Sequence, residues 1–278
     1  MVLKSKEKIK IRAPIVEGLF YPAAAEDLKL KIEQLLEKAP NAPAEAGLII
    51  SPHAALQYAG DVAACAFKAA ARRKVKTAVI IGPQHRDHFD QIVLPESQFF
   101  QTPLGTIPVN MDLVDELLSC STRIYCNDIP HLEEHCLEIQ LPFIQTLFPR
   151  ADIVPVLMAS QKMDIVKLLA NALKLTFEKR ICSTLFIVTA NITSDSSSDR
   201  PAPEPNFALD LIKRKDWQGI LEGAARKEVT TCGAGGIAAL LSLKSFFGSK
   251  VELLMEKSTS QVAKSRENSI HYAAIAVS

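Results

Sequence analysis

Leu48-Ile49-Ile50-Ser51-Pro52-His53 and Val79-Ile80-Ile81-Gly82-Pro83-Gln84-His85 decide how this chain is read. Each is a short apolar run, then a small residue and a proline, with a histidine just beyond. A run of that kind reads as a strand buried on both faces, and proline cannot continue the hydrogen-bond ladder. Each histidine is therefore expected just past the carboxyl end of a core strand. Residues 61–74 between the runs have helical character, so the unit is strand–helix–strand, with parallel and neighbouring strands. Two imidazoles then project into the crevice beyond the strand carboxyl ends, where open α/β sheets bind their ligands.

The same alternation continues outward from this unit. Residues 26–38 are expected as a helix, with Leu28, Ile32, Leu35 and Leu36 on one face and acids in the first turn. Residues 13–22, with two prolines and Leu19-Phe20-Tyr21, suggest a segment wrapped over the surface. Runs at 91–95 and 99–109 are broken by Pro95, Pro103 and Pro108 and read as edge strands or a hairpin. A short helix follows at 112–118, with Asn110 as its cap. Core strands are expected at 153–158 and 184–189, with a helix at 163–179 between them. Polar residues 191–205 form the best lid candidate. Helical pieces at 207–226, a buried helix at 237–247 and strands at 251–255 and 270–277 close the chain. This order argues one α/β sandwich over residues 1–278, with a mixed, largely parallel central sheet, rather than two domains.

Composition narrows the function classes. The chain has 278 residues, 48% of them apolar, and a net charge of +1. That is ample for a core, and the interspersed charge indicates neither nucleic acid nor an acidic membrane surface as partner. No stretch of 18 apolar residues occurs, and the Lys-rich start lacks the apolar core of a signal peptide. The six cysteines (65, 120, 126, 136, 182 and 232) form no CxxC pair. They read as thiols in a soluble cytoplasmic protein rather than as disulfides.

Three constellations carry potential chemistry. A lone histidine at a strand end often only caps the strand. Two in equivalent places, His53 and His85, add weight to a metal or catalytic role, since neutral imidazole is the commonest ligand for first-row metals. In His131-Leu-Glu-Glu-His135-Cys-Leu-Glu138, helical spacing would put His131, His135 and Glu138 on one face. The zincin pattern fails here because Leu132 stands where HExxH needs its glutamate. His135 and Glu138 remain candidates to orient ligands or move protons, and Glu133 and Glu134 read equally well as a solvated face. Cys232 precedes Gly233, Gly235 and Gly236 at the opening of a helix. Helix amides and dipole there favour thiolate, while a small buried apolar role is the competing reading.

Taken in order, these motifs resemble a known family. They are Gly18-Leu19-Phe20-Tyr21-Pro22, Pro52-His53-Ala54, Gly82-Pro83-Gln84-His85, Thr102-Pro103-Leu104-Gly105, Glu134-His135-Cys136-Leu137-Glu138, Thr231-Cys232-Gly233 and Ser269-Ile270-His271-Tyr272. The pattern looks like the Memo family, whose bacterial and archaeal members are called AmmeMemoRadiSam system protein B. The resemblance implies a fold like that of the LigB-type extradiol dioxygenases and a metal pocket on His53, His85 and Cys232. By the same resemblance, AMMECR-like and radical-SAM proteins are expected partners. The chain departs from the family pattern in two places. The family's PHAGYxYSG reads Pro52-His53-Ala54-Ala55-Leu56-Gln57-Tyr58-Ala59-Gly60. Its SSDxxH aligns with Thr189-Ala190-Asn191-Ile192-Thr193-Ser194, so an aspartate has become Asn191 and a histidine Ser194. Asp195 and Asp199 lie nearby as substitutes if a gap is allowed.

Three functions compete on this reading. The first is a mononuclear Fe(II) or Cu site on His53, His85 and Cys232, with His135 and Glu138 as catalytic residues in redox or oxygen-dependent chemistry. The second is a catalytically degenerate binding or scaffold protein that takes a peptide or small ligand in the same crevice. The third is a thiol enzyme with Cys232 as nucleophile and His53 or His135 as base.

Overall fold

The computed structural model describes residues 9–41, 45–86, 90–193, 205–259 and 270–278. In chain order its elements begin with β1 (Ile11–Arg12), α1 (Ala25–Lys38), β2 (Leu48–Ser51), α2 (Leu56–Lys68) and β3 (Thr77–Pro83). Next come β4 (Ile92–Leu94), β5 (Phe99–Thr102), β6 (Gly105–Pro108), α3 (Met111–Ser119), β7 (Ile124–Cys126), α4 (Asp128–Glu133) and α5 (Leu141–Leu147). The chain then runs through β8 (Asp152–Met158), α6 (Met163–Phe177), β9 (Thr184–Thr189), β10 (Ile192–Thr193), α7 (Pro205–Lys213) and α8 (Trp217–Ala225). It closes with α9 (Ala234–Ser242), β11 (Val251–Ser258) and β12 (Ile270–Val277).

The unbroken apolar runs become the centre of the sheet because both their faces can be covered. β2, β9, β3 and β8 lie side by side and parallel, and their aliphatic side chains are fully buried. The large mixed sheet runs β10-β12-β2-β9-β3-β8-β4-β7, with β11 pairing antiparallel on β12. A second, three-stranded sheet joins β1, β5 and β6. Helices α1, α2 and α5 pack on one another, and α6 joins α3 and α9 in another group that α8 extends. Among the described residues no helix is long and apolar enough to cross a membrane.

Several expectations are corrected here. The two histidine strands are parallel but not neighbours, because β9 lies between them: Ile187 is in register with both Ile49 and Ile80. An apolar run reports that a strand is central, not which strand lies beside it. α2 begins at Leu56 and ends at Lys68, earlier at both ends than the expected 61–74. α9 stops at Ser242, where Leu243 leaves the helical region, rather than continuing to residue 247. The expected strand region 99–109 forms the hairpin β5–β6 of the small sheet, whereas residues 92–94 join the large one. Asn110 does cap α3, accepting from the Leu113 amide. The candidate lid falls largely on residues 194–204, outside the described residues, as do Ser194, Asp195 and Asp199.

The largest departure concerns the His131–Glu138 segment. α4 stops at Glu133 because Glu134 turns extended, and Glu138 opens a separate 3-10 turn. His131, His135 and Glu138 therefore share no helical face. His131 is buried against Phe100, with its Nε2–H donating to the Val93 carbonyl and its Nδ1 unpartnered among the described residues.

That burial has a consequence for acid stability. Desolvation, reinforced by the Arg12 charge, holds the His131 imidazole down at about 4. Released into the unfolded chain it would titrate near 6.5. The unfolded state therefore takes the proton first, and stability present above pH 6.5 is lost as pH falls towards 4. The expected loss is about 3 kcal/mol. Urea midpoints measured across that window should fall in the wild type and fall less in His131→Gln, where His135, also held at about 4, still contributes.

Residues 11–22 pass over the segment that follows α4 and are fixed to it from beneath. The Arg12 guanidinium, 1% exposed, pairs with the fully buried Glu138 carboxylate and donates to the carbonyls of His131 and Glu134. Glu138 also accepts from the Tyr21 hydroxyl (2.5 Å) and the amides of Ile15 and Val16. Burial and the neighbouring carboxylate push the Tyr21 phenol well up, so it stays a donor. The surface wrap expected from the sequence is thus a strap with buried anchors.

Candidate metal centre

The parallel strands end together, and their ends deliver the donor atoms. β2 stops at Ser51, and Pro52 carries the chain to His53, whose side chain is 2% exposed. Its Nδ1 lies 2.9 Å from the Thr189 hydroxyl at the end of β9. That hydroxyl spends its one proton on the Cys136 carbonyl and already accepts from Gln140 Nε2. The proton in the histidine bond therefore belongs to Nδ1, which leaves the Nε2 lone pair facing outward. Nε2 lies 3.4 Å from the Cys232 sulfur.

His85 is oriented by a different group. Glu134 Oε2 accepts from the His85 backbone amide (2.9 Å), and both its oxygens lie 3.0 Å from His85 Nδ1. Oε1 accepts in addition from the amides of His135 and Cys136, each at 3.0 Å. Burial alone would raise the Glu134 carboxyl, but His85 and the amides outweigh it and hold it at about 2. An ionised carboxylate only accepts, so the proton again sits on Nδ1 and Nε2 is left for the crevice. A carboxylate behind a ligating histidine fixes its tautomer and raises its basicity.

Cys232 reaches the same point from the loop before α9. Gly233 is required there, since a Cβ on it would stand 2.5 Å from the Ala190 Cβ. That close approach lets the Asn191 amide donate to the Cys232 sulfur at 3.2 Å. Burial would raise the thiol, but the imidazoles of His53 and His85 and the Asn191 amide outweigh it and bring Cys232 down to about 6. Its charge and that of Glu134 in turn hold the His85 imidazole up at about 10. Cys136 shows the opposite case: fully buried, with its thiol facing the Pro83 carbonyl, it is pushed far up and stays inert.

His53, His85 and Cys232 thus offer two nitrogens and a sulfur within 4.8 Å of one another. Bond lengths of about 2.0–2.3 Å around a tetrahedral ion separate two ligand atoms by about 3.5 Å. The 3.4 Å between His53 Nε2 and Cys232 Sγ matches that spacing without rearrangement. The donor set fits a first-row ion of borderline-to-soft character. His85, Glu134 and His135 form a second group with metal-ligand spacing. Glu134 there is already committed to three amides and His85, which makes it a support for the first group rather than a second cage.

His135 stands beside both of the other crevice histidines. Its ring lies 5.7 Å from His53 and 5.4 Å from His85, with Phe20 packed on it edge-on at 5.1 Å. Burial and the two neighbouring imidazoles hold it at about 4, so it is neutral. Glu138 has its oxygens occupied by Arg12, Tyr21 and the strap amides. Sequence reasoning weighed Glu134 evenly as a solvated charge, and passed over Thr189 and Arg12. Of the acidic pair, only Glu133 is a solvated charge, 3.1 Å from Arg86. Nothing in the local sequence separates Glu134 from Glu133, because the groups that receive its carboxylate include His85, 49 residues away.

Loss of the Glu134 charge should therefore weaken any metal binding by this group with all three candidate residues in place. Glu134→Gln is expected to reduce affinity by about 10–100-fold, read by competition against a chelator of known strength.

Fold and crevice together define an α/β protein with a histidine–cysteine cluster at the carboxyl ends of its parallel strands. Relatives place it further. The chain belongs to the Memo family: the family's sequence profile, described as Memo-like protein, matches residues 12–276. A MEMO1 family protein of Thermotoga neapolitana is 33% identical over 248 residues, covering 84% of this chain and 88% of its own. Another, from Thermoplasma volcanium, is 28% identical over 266 residues and covers 95% and 97%. Among solved structures, the uncharacterized protein JW3007 of Escherichia coli K12 shares the fold, with a TM-score of 0.53 at 9% identity. The match covers 83% of this chain and 99% of that one.

Proposed function

We propose that this chain holds one iron(II) or copper ion on His53 Nε2, His85 Nε2 and Cys232 Sγ, and that the crevice serves redox or oxygen-dependent chemistry. The observation carrying this reading is the convergence of two imidazole nitrogens and a sulfur, each oriented by a separate hydrogen bond; a bound ion would displace the second proton of His85, which is held at about 10. A bound ion of this kind supplies electron transfer and a position for a small ligand.

The chain's own residues do the rest. Thr189 and Glu134 hold the two rings in register, and the Asn191 amide stabilises the sulfur charge. His135, neutral and half-buried, offers a hydrogen bond to whatever occupies the crevice. Phe20 on that ring keeps water from one side. Anaerobic titration with Fe(II) or Cu(I) should saturate near one equivalent per chain. Unchanged uptake in a His53→Ala, His85→Ala double variant would remove the proposal.

A binding role without turnover is the second reading, and Asn191 favours it. Its side-chain carbonyl oxygen is engaged by the His53 backbone amide at 3.1 Å, so no carboxylate base stands at that position. Complexes that persist after chelation and in Cys232→Ser would favour this reading over the first.

A further inference from the structure

Gln140 is fully buried and closes the 3-10 turn Glu138–Gln140. Glu138, at the other end of that turn, is clamped to the strap by Arg12 and Tyr21. The turn is thereby held at one end and presents the Gln140 carboxamide to the ends of β2 and β9. Gln140 Nε2 donates to the Pro52 carbonyl (2.8 Å) and to the Thr189 hydroxyl (3.0 Å). The Pro52 carbonyl fixes which way round the amide lies, because a flipped amide would set its oxygen against another acceptor.

Both bonds bear on one residue. The Pro52 carbonyl and the His53 amide belong to the same planar peptide unit. Gln140 holds the oxygen of that unit, and the Asn191 side-chain oxygen accepts from its nitrogen at 3.1 Å. Proline fixes φ at residue 52, so the pose of this plane settles where the His53 Cα stands. The ring is then turned by Thr189, 2.9 Å from Nδ1, and the Thr189 hydroxyl is the second acceptor of Gln140. A glutamine kept only to satisfy a buried carbonyl needs the first of these bonds and not the second.

We propose that Gln140 is a positioning residue for His53: one carboxamide sets both the peptide that carries the ring and the hydroxyl that turns Nε2 towards Cys232. The fixing of the ring stands on these contacts alone. Its consequence for an ion rests on the metal reading above, in which a misplaced imidazole costs affinity with every ligand residue still present.

The ring is read first in metal-free protein, by long-range proton–nitrogen NMR with labelled histidine. His53 Nδ1 should carry a proton in the wild type, protected from exchange by burial. In Gln140→Met, which keeps the length but has no donor, that proton should exchange roughly tenfold faster or more. The Nε2–H of His131, bonded to the Val93 carbonyl, should be unaffected. Gln140→Asn withdraws the same donors by one methylene and should give the same result, which keeps the test decisive if methionine is not tolerated. Competition titration with Fe(II) or Cu(I) is the second arm. Gln140→Met should lower the affinity about tenfold in the wild-type background. In His53→Ala it should lower it by less than about twofold, because the residue it acts through is gone. An unprotonated His53 Nδ1 in the wild type, exchange unchanged in both variants, faster exchange at His131 as well, or equal affinity losses with and without His53 would each overturn the role. A wild type that takes up no metal, with the NMR pattern intact, would overturn the metal reading and leave the positioning of the ring standing.

Discussion

Arg12→Ala should lower the unfolding free energy by about 3–5 kcal/mol, the cost of leaving a buried carboxylate without its cation. Glu138 has no exposure through which water could replace the guanidinium. The lost donors also leave the carbonyls of His131 and Glu134 unpaired in the same interior. For a chain of this length such a change moves the thermal midpoint by about 10 °C. The companion Arg12→Met, Glu138→Leu double variant should recover only part of the loss, since it removes the unpaired charge but leaves the Tyr21 hydroxyl, the Ile15 and Val16 amides and the carbonyls of His131 and Glu134 without their partners. Thermal melts of the single and double variants check this directly. A melt of Arg12→Ala within 2 °C of wild type would mean that the strap contributes little to holding residues 131–138 in place.

Cys232→Ser is expected to have the largest effect on ligand binding. The substitution nearly preserves volume at a partly exposed position, so stability should change by less than about 1 kcal/mol. Metal affinity should nevertheless fall by more than the roughly 10–100-fold that losing an outer hydrogen bond costs. A hydroxyl is neutral where the thiolate is charged, and it is a poor partner for a soft ion. The loss should be greater for Cu(I) than for Fe(II), because copper(I) depends more on sulfur. Competition titrations with both ions, alongside the intact Glu134→Gln variant, separate removal of a ligand from misorientation of one.

The fold was largely legible because its centre is written in unbroken aliphatic runs, which fit only a strand covered on both faces. Leu48–Ser51, Thr77–Pro83 and Thr184–Thr189 show this plainly. Their order across the sheet was not legible, since nothing in an apolar run says whether β9 lies outside β3 or between β3 and β2. That His53, His85 and Cys232 come together was readable for a related reason: a proline after a buried strand fixes where the next side chains emerge, and Gly233 marks a backbone that must come close. Glu134 and Glu138 were misplaced because their roles depend on partners more than forty residues away. Glu138 carries the spacing of a catalytic acid, yet it pairs with Arg12 across the whole strap. Glu134 looks like surface charge, yet it is 4% exposed and receives His85. Local periodicity cannot distinguish a solvated acid from one that is buried and answered by a distant amide or cation.

The central claim is that two imidazoles and one sulfur hold a single ion. Anomalous diffraction at the iron and copper absorption edges, from crystals of protein purified without added metal or chelator, tests it most directly. One peak is expected, about 2.0–2.3 Å from His53 Nε2, His85 Nε2 and Cys232 Sγ together. A peak bound instead by Glu134 and His135, or an ordered crevice with no peak at either edge after reconstitution, would contradict it.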